Sequence, residues 1–450
     1  MKIIIVGAGK VGKNLTSFLS QENHDITVID TNPNVIQDVV DKYDVQGLVG
    51  NGASHEILMD AEVNKTDLLI ASSSSDELNI LSCLVAKMNG VKHTIARVRN
   101  PEYSSQVNYL HDQLGLNLIV NPELEAANEI LQMLKFPSAL KVDKFANGRV
   151  DIVEVKLDES SPLVGASLSK IRSQLQVKFL ICAVERDGKA YIPSGDFVFK
   201  AKDKIHVTAS NKEITRLFKK LGILKDRAKQ VIIIGGGKIS YYLAKQLDEG
   251  NVNVKIIEMD EDRCEELSNL LDHVTIIHGE GSDHNLLDEE GINNCDSVVA
   301  LTGFDEENII ISLYAQRKNV SKVITKINRD NLTDILETIG IDSIISPKAI
   351  ITNSVLSYVR SIESTVGSQV KTLYKLVNNQ VEATEFYIPQ ATDFTNIPFK
   401  DLQTKKNVLI ACIIRNKAII IPSGEDCLQP FDSVVVVSTD KIRSLEDIME

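Results

Sequence analysis

No stretch of the 450-residue sequence holds the roughly 18–20 apolar residues that a membrane-spanning helix requires. Apolar stretches such as those within Lys2–Val6 and Val231–Ile234 have the length of buried strands. Basic residues are in short supply. Against 62 Asp and Glu stand 49 Lys and Arg, a net charge of −13, whereas a protein that binds nucleic-acid backbone needs a basic face. The six cysteines, at 83, 182, 264, 295, 412 and 427, include no CxxC pair and no regular framework. They fit free buried thiols in a reducing cytoplasm. Met1 stands one residue ahead of the first apolar run, so no signal peptide or lipidation site is expected before it. Spanning, secreted and nucleic-acid-binding classes are set aside on these grounds. What remains is 43% hydrophobic and 25% charged, a globular composition able to bury real cores. At roughly 100–200 residues per domain, the length predicts two to four domains.

The sequence repeats itself at an offset of about 229 residues. Lys2–Gly12 recurs as Gln230–Ser240, Asp25–Asp30 as Asn253–Glu258, and Gly50–Ser54 as Gly279–Asp283. Asp67–Glu77 recurs as Asp296–Glu306, and Asn79 falls on Asn308. Further on, Gly115–Pro122 matches Gly340–Pro347, Tyr191–Gly195 matches Ile420–Gly424, and Asp203 matches Asp432. So many matches in one order make each half a duplicated structural unit.

Each half has two regions. Residues 1–123 and 229–348 alternate short β-branched strands with segments of helical periodicity, such as Leu15, Phe18 and Leu19. That alternation predicts an α/β fold, a Rossmann-like doubly wound parallel sheet with helices on both faces. A helix is expected after each late proline, over Glu123–Phe136 and Lys348–Ser361. Residues 140–224 and 368–450 read as a small α+β module in each copy, with strands expected at Val150–Val155, Phe179–Val184 and Ile205–Thr208 in the first. The charged stretch Lys219–Lys229 lacks periodicity and reads as the linker between halves.

Gly7-Ala8-Gly9-Lys10-Val11-Gly12 follows an apolar strand and opens a helix. In that setting Gly7 allows a tight turn, Gly9 lets the backbone approach a pyrophosphate, and Gly12 permits close helix–strand packing. Backbone N–H groups at the helix start then meet anionic phosphates. Asp30, eighteen residues beyond Gly12, ends the next strand, where a carboxylate accepts ribose hydroxyls and repels a 2′-phosphate. NAD or an adenine nucleotide is therefore favoured over NADP; a glycine turn without a ligand is the alternative. The second copy, Gly235-Gly236-Gly237-Lys238-Ile239-Ser240, puts serine at the packing position and Glu258 at the acid position. A fold kept without its ligand, or with a different nucleotide, is open there.

Other loops fall at the carboxyl ends of strands, where a doubly wound sheet takes its ligand. Asn51-Gly52 and Glu280-Gly281 are placed to meet an adenine edge; Ser73-Ser74 and Thr302-Gly303 are placed to reach ribose or phosphate. Arg97 ends the fifth strand as a candidate phosphate partner, with Lys326 as its counterpart lacking the bidentate fork. Ordinary turn chemistry is the alternative at each position. Asp76-Glu77 and Asp305-Glu306 read first as helix N-termini and only second as catalytic carboxylates. His278, Glu280, Asp283 and His284 have metal-ligand composition, but the first copy carries Val49, Asn51, Ser54 and His55 there, so a solvated polar loop is favoured.

A dehydrogenase needs a proton donor and an anchoring arginine near the nicotinamide, and the small modules show no such pattern. Catalytic residues and metal ligands are therefore not expected. The motif order over the whole chain resembles regulator-of-potassium-conductance domains, also called potassium transport/nucleotide-binding domains, set twice in tandem. The resemblance rests on residues 7–12, 26–30, 50–54, the Ser-rich turn with Asp76-Glu77, residues 95–103, the proline-ended strand with its crossover helix, the PSG tripeptides at 193–195 and 422–424, and the second-half copies.

That family resemblance implies a regulatory subunit without catalysis of its own, held on the inner face of the cell membrane by a membrane-embedded potassium transporter. It implies NAD(H) and ATP or ADP as ligands, and a homotetramer forming a ring of eight nucleotide-binding domains. Matching positions place one site at Gly7, Ala8, Gly9, Lys10, Val11, Asp30, Ser73, Ser74 and Arg97. They place a second at Gly235, Gly236, Gly237, Lys238, Ile239, Glu258, Thr302, Gly303 and Lys326. The crossover helices are candidates for swapping between units. An NAD-dependent oxidoreductase with an unusual substrate module is the rival reading, and a scaffold for some other channel a third. The acidity argues against anchoring on anionic lipid, so attachment is expected to be to a protein.

Overall fold

In the computed structural model, which describes residues 1–104, 106, 113–145, 148–329, 332–363, 369–377 and 379–449, the alternating segments form two parallel sheets. Residues 368 and 450, the expected bounds of the last module, lie outside those described. The chain forms two compact units: residues 1–127, 237–242 and 346–356 make the first, and the remainder makes the second.

The first unit is built on strands β1 Lys2–Val6, β2 Asp25–Asp30, β3 Gln46–Val49, β4 Leu68–Ala71, β5 His93–Arg97 and β6 Leu118–Val120. All pair in parallel, in the order β3-β2-β1-β4-β5-β6. Helices cover both faces, so the central strands are buried on both sides: Ile3, Ile4, Ile5, Leu68, Leu69 and Ile70 are each at most 1% exposed. The helix Lys10–Ser20 buries Leu15 and Leu19 and enters directly from β1. Its close approach depends on Gly12, where a Cβ would sit 1.8 Å from the Gly7 carbonyl oxygen. Backbone cannot yield as a flexible side chain can. Gly12→Ala is expected to destabilise this unit by about 1–3 kcal/mol, as overpacking does, read in urea unfolding of the full chain.

The second unit contains a parallel sheet of the same order, β14-β13-β12-β15-β16-β17. Its strands are β12 Gln230–Ile234, β13 Asn253–Glu258, β14 Thr275–His278, β15 Ser297–Ala300, β16 Lys322–Lys326 and β17 Ile344–Ile345. Ser240 takes the packing position of Gly12 and is fully buried.

Two antiparallel sheets complete that unit. The first comprises β7 Lys141–Phe145, β8 Val150–Lys156, β9 Leu180–Arg186, β10 Lys189–Tyr191 and β11 Lys204–Ala209, ordered β10-β9-β11-β8-β7. The second comprises β18 Gln369–Leu376, β19 Val381–Tyr387, β20 Val408–Arg415, β21 Ala418–Ile420 and β22 Ser433–Ser438, and read from its other edge has the same connectivity. The sheets share one core: Phe145, Ile152 and Cys182 pack with Val381, Cys412 and Val435. Helices Leu168–Leu175 and Asn211–Leu221 cover the outer face of the first sheet. In the second module the described residues replace them with short 3-10 turns at Phe399–Asp401 and Leu445–Ile448.

One ion pair is written into both modules. Arg186 holds Asp203 through Nε and Nη2 at 2.8 and 2.7 Å, and Arg415 holds Asp432 at 2.9 and 2.8 Å. Each arginine also donates to a loop carbonyl, of Val198 or Cys427. The crossover helices span Pro122–Lys135 and Pro347–Glu363; the second runs two residues further at its end than its periodicity predicts.

Candidate nucleotide-binding sites

The strand order reverses direction between β1 and β4, and ligands of open α/β sheets bind outside the carboxyl ends of strands at such a point. The first glycine loop lies there. Gly7 turns the chain at φ +91°, a left-handed conformation, with its N–H donating to the Ile29 carbonyl at 2.8 Å. A Cβ on Gly7 would also lie 2.7 Å from the Ser73 nitrogen. Gly9 is exposed, with no atom within 4 Å of a Cβ placed there, and Lys10 and Val11 open the helix behind it. The first N–H groups of that helix have no intrahelical acceptor. An anionic pyrophosphate suits this open, N–H-lined surface.

Asp30 shapes the loop from the end of β2. One of its oxygens accepts the Ala8 N–H at 2.7 Å and the other the Asn32 N–H at 2.9 Å. Its neighbour across the sheet is the end of β3, where the Gly50 N–H donates to the Asp30 carbonyl at 2.9 Å. Asn51 follows, exposed, with its Oδ1 accepting the Ala53 N–H at 3.0 Å. Gly52 is a packing glycine: a Cβ would sit 2.1 Å from Val6.

The far wall is the serine loop after β4, and a buried asparagine organises it. Asn79 accepts from the Ser73 N–H at 2.8 Å and the Ser73 hydroxyl at 2.7 Å, and donates to the carbonyls of Ser73 and Arg97 at 3.2 and 2.9 Å. One side chain thus ties the ends of β4 and β5 together. Ser75 caps the helix Asp76–Met88, and Ser74 remains exposed at the rim. Asp76 accepts the N–H groups of Arg99 and Asn100 at 2.8 and 2.7 Å. Its carboxylate is therefore part of the scaffold at the helix start, in line with the first reading given to that pair.

Two guanidinium groups adjoin this wall. Arg97 is largely buried, 3.8 Å from Glu123, and its Nε has no hydrogen-bond acceptor among the described residues. Burial, with the Arg99 charge beside it, holds its pKa below the ordinary arginine range while Glu123 opposes the shift. Arg99 donates to the Ser74 carbonyl. Asp76 lies 3.6 Å from the Arg99 Nε, so an anion here would meet two positive charges offset by two carboxylates, Glu123 and Asp76. Tyr242, from the second half of the sequence but part of this same unit, donates to the Arg99 carbonyl at 3.1 Å and accepts from Asn121 at 3.0 Å.

The second copy repeats the scaffold and alters the charges. Gly235 has φ +95° and donates to the Ile257 carbonyl at 2.8 Å. Glu258 accepts the Gly236 N–H and, at 2.9 Å, the Asp260 N–H. Gly237 has open space where a Cβ would lie, and Lys238 and Ile239 follow at the start of the helix Lys238–Glu249. Asn308 plays the part of Asn79, accepting the Thr302 N–H at 2.8 Å and donating to the Thr302 and Lys326 carbonyls at 3.3 and 3.0 Å. Gly303 is exposed and open. Lys326, however, donates to the Leu301 carbonyl at 3.2 Å, and Arg329 is drawn to Asp305 and Glu306. Arg263 lies on the loop, its Nε donating to the Gly236 carbonyl at 2.7 Å. Glu280 is exposed and accepts the Ser282 hydroxyl at 2.6 Å.

The histidine-rich loop does not gather into a metal centre. His284 stacks on Tyr314 with ring centroids 3.8 Å apart, His278 contacts the Met259 carbonyl, and Asp283 caps a short helix. Among the described residues no group of three or more His, Cys, Asp or Glu is placed to hold a metal ion.

Asn79, Asn308, Arg99, Arg263 and Tyr242 were not singled out as site residues by the sequence. A signal existed for the asparagines, an amide repeated at one offset inside a helix where asparagine is a poor former. Replacing Asn79 by leucine is expected to leave the Ser73 amide unpaired. The expected result is a loss of roughly 1–3 kcal/mol in stability and about tenfold in nucleotide affinity. Unfolding and calorimetric titration on one preparation check both.

Duplicated Rossmann-type sheets, each presenting a glycine loop and an acid at the switch point, define a tandem nucleotide-binding α/β chain. The TrkA-N domain model matches residues 3–122 and 231–347, and the TrkA-C domain model matches residues 152–222. Trk system potassium uptake protein TrkA homolog 1 of Methanosarcina mazei is 34% identical over 446 residues, covering 97% of each chain. Trk system potassium uptake protein TrkA of Halomonas elongata is 32% identical over 455 residues, covering 100% of this chain and 99% of its own. The chain belongs to the TrkA family of Trk system potassium uptake proteins. In fold it is similar to the GsuK RCK domain, with a TM-score of 0.64 at 17% identity over 99% of this chain and 93% of that one. The GsuK channel bound to NAD gives a TM-score of 0.63 at 17% identity, over 99% of this chain and 77% of that one.

Proposed function

We propose that this chain is the nucleotide-binding regulatory subunit of a Trk-type potassium uptake system, controlling a membrane-embedded potassium transporter. The observation that carries this reading is the wiring of the first site. Asp30 holds the glycine loop, the Ser72 hydroxyl on the Gly7 carbonyl joins that loop to the Asn79-held serine loop, and Arg99 on the Ser74 carbonyl joins the serine loop to Tyr242, so a ligand there acts on backbone well beyond its own contacts. Fit to an adenine nucleotide is supported by the open Cβ side of Gly9 and by the buried Arg97 Nε that lacks an acceptor among the described residues. Gly7 to Val11 would hold the phosphates, Asp30 the ribose, Asn51 the base edge, and Ser73, Ser74 and Arg97 the far side. Gly235 to Ile239, Glu258, Glu280, Thr302, Gly303 and Lys326 would do so in the second half. NAD(H), ATP and ADP share the parts these residues meet. The second site has an arginine, Arg263, already seated on its loop, and a lysine where the first has Arg97, which favours different ligands in the two halves.

Such a ligand shifts an equilibrium only by its difference in affinity for the two states. Moving a gate from 1:99 to 99:1 takes about 5.5 kcal/mol, so several sites must act together. Four chains in a ring of eight nucleotide-binding domains would supply them. Among the described residues no helix is long and apolar enough to cross a membrane, so the proposed position at the inner membrane face is through the transporter. Co-purification with a potassium-transporting membrane protein, and a tetramer in analytical ultracentrifugation, are the expected results. Sustained hydride transfer from NADH to small carbonyl compounds would overturn the reading in favour of an oxidoreductase.

A further inference from the structure

A cavity of about 470 Å³ lies in the second unit, at the amino-terminal edge of the parallel sheet, away from the strand ends that carry the glycine loop. Its walls come from the first small module, the start of β16 and Gly222–Lys225 of the linker that the sequence left without a role. That volume is within the usual range for small-molecule sites, roughly 300–1,000 Å³.

The chemistry of the walls is lopsided. Lys156 and Asp342 satisfy each other, the ammonium lying 2.9 Å from both carboxylate oxygens. Asp158 is held in its own turn by the Ser160 N–H and hydroxyl. Lys322 is 4% exposed, and its acceptors among the described residues are neutral: the Ala139 carbonyl and the Ser343 hydroxyl, the latter at 2.7 Å. An ammonium carries three donors, so one remains. Lys225 lies over the neighbouring backbone, its ammonium 3.1 Å from the Ser321 carbonyl. Among the described residues both ammonium groups at the cavity wall have only neutral hydrogen-bond partners, and a buried charge such as that of Lys322 is costly in that state unless a counter-charge arrives.

We propose that this cavity binds a small oxyanion, a phosphate or carboxylate group, held by Lys322 from inside and Lys225 from the linker. The counterpart of Lys322 in the first sheet is His93, so the site belongs to the second half alone. Because the linker forms a wall, an occupied site fixes the first module against the second sheet, a second input independent of the nucleotide loops. Burial supports the assignment by pushing the Lys322 ammonium down from 10.5 to about 7, with Lys225 adding to the shift and Glu154 and Asp342 opposing it. An arriving anion raises that pKa again. Binding above pH 7 therefore takes up a proton and weakens as pH rises.

The test is calorimetric titration of the full chain with inorganic phosphate and, separately, succinate, in buffers of different ionisation enthalpy. One site per chain is expected for at least one probe, with proton uptake at pH 8. That site is lost in Lys322→Met and weakened about tenfold in the exposed Lys225→Gln, which keeps the fold intact. Phosphate alone identifies a phosphorylated ligand, and succinate alone a carboxylate. Failure of both probes to bind at millimolar concentration overturns the proposal, as does binding unchanged in Lys225→Gln; neither result bears on nucleotide binding at the glycine loops.

Discussion

Gly9→Asp is expected to weaken nucleotide binding at the first site by two to three orders of magnitude while leaving the unfolding midpoint almost unchanged. The two halves of that result have separate causes. Gly9 has an extended backbone at φ −68°, open to any residue, and a Cβ there meets nothing within 4 Å. A substitution at such a surface position normally moves stability by no more than about 0.5 kcal/mol. The carboxylate, however, enters the ground proposed for a pyrophosphate, next to helix N–H groups that it can itself engage. Like charges placed together cost several kcal/mol, and each 1.4 kcal/mol is about tenfold. Titration with NADH, ATP and ADP, alongside thermal unfolding, separates the two effects. Gly9→Ala is the control, with little change expected in either.

The largest expected effect on stability belongs to Arg360→Met. Arg360 is 2% exposed, yet its guanidinium grips both oxygens of Glu382 on β19 at 2.7 and 3.1 Å. It joins the helix Pro347–Glu363 to the second module's sheet. Removing the arginine strands a buried carboxylate, which typically costs about 3–5 kcal/mol. Replacing both partners with apolar side chains, as in Arg360→Met with Glu382→Met, is expected to recover most of that loss, because no uncompensated charge remains. Since a multidomain chain need not unfold in one step, hydrogen exchange at the β19 amides is the appropriate readout. Faster exchange in the single variant and near-normal exchange in the double variant are expected. Equal destabilisation by both would show that shape, rather than charge pairing, holds the helix in place.

Much of this molecule was legible because its central strands are buried on both faces, leaving unbroken β-branched runs such as Ile3–Val6 and Ile232–Ile234 that the duplication repeats. Gly7, Gly9 and Gly12 were legible because backbone geometry allows few alternatives at a strand-to-helix turn. Asn79 was visible only as a repeated letter. Its role depends on the ends of β4 and β5 lying side by side, a pairing between distant segments. Arg99 was hidden by asymmetry, since Asn328 stands at its place in the second copy, and a search for repeated residues passes over it. Arg263 was missed for the same reason. At Lys326 the position repeats but the side chain does not: its ammonium donates to the Leu301 carbonyl at 3.2 Å, whereas Arg97 lies beside Glu123. Matching letters locate a loop; the charges left available in it depend on the fold.

Nucleotide occupancy of these loops is proposed to set potassium flux through a membrane partner. The most direct test is potassium flux into vesicles containing the co-purifying transporter, measured with the wild-type chain and with Gly9→Asp as NADH, ATP and ADP are each titrated. Flux with the wild-type chain is predicted to change with at least one nucleotide, at concentrations matching its binding, and the Gly9→Asp chain is predicted to bind the transporter but lose that response. Flux that ignores every nucleotide while the wild-type chain is bound and its loops are filled would contradict the account.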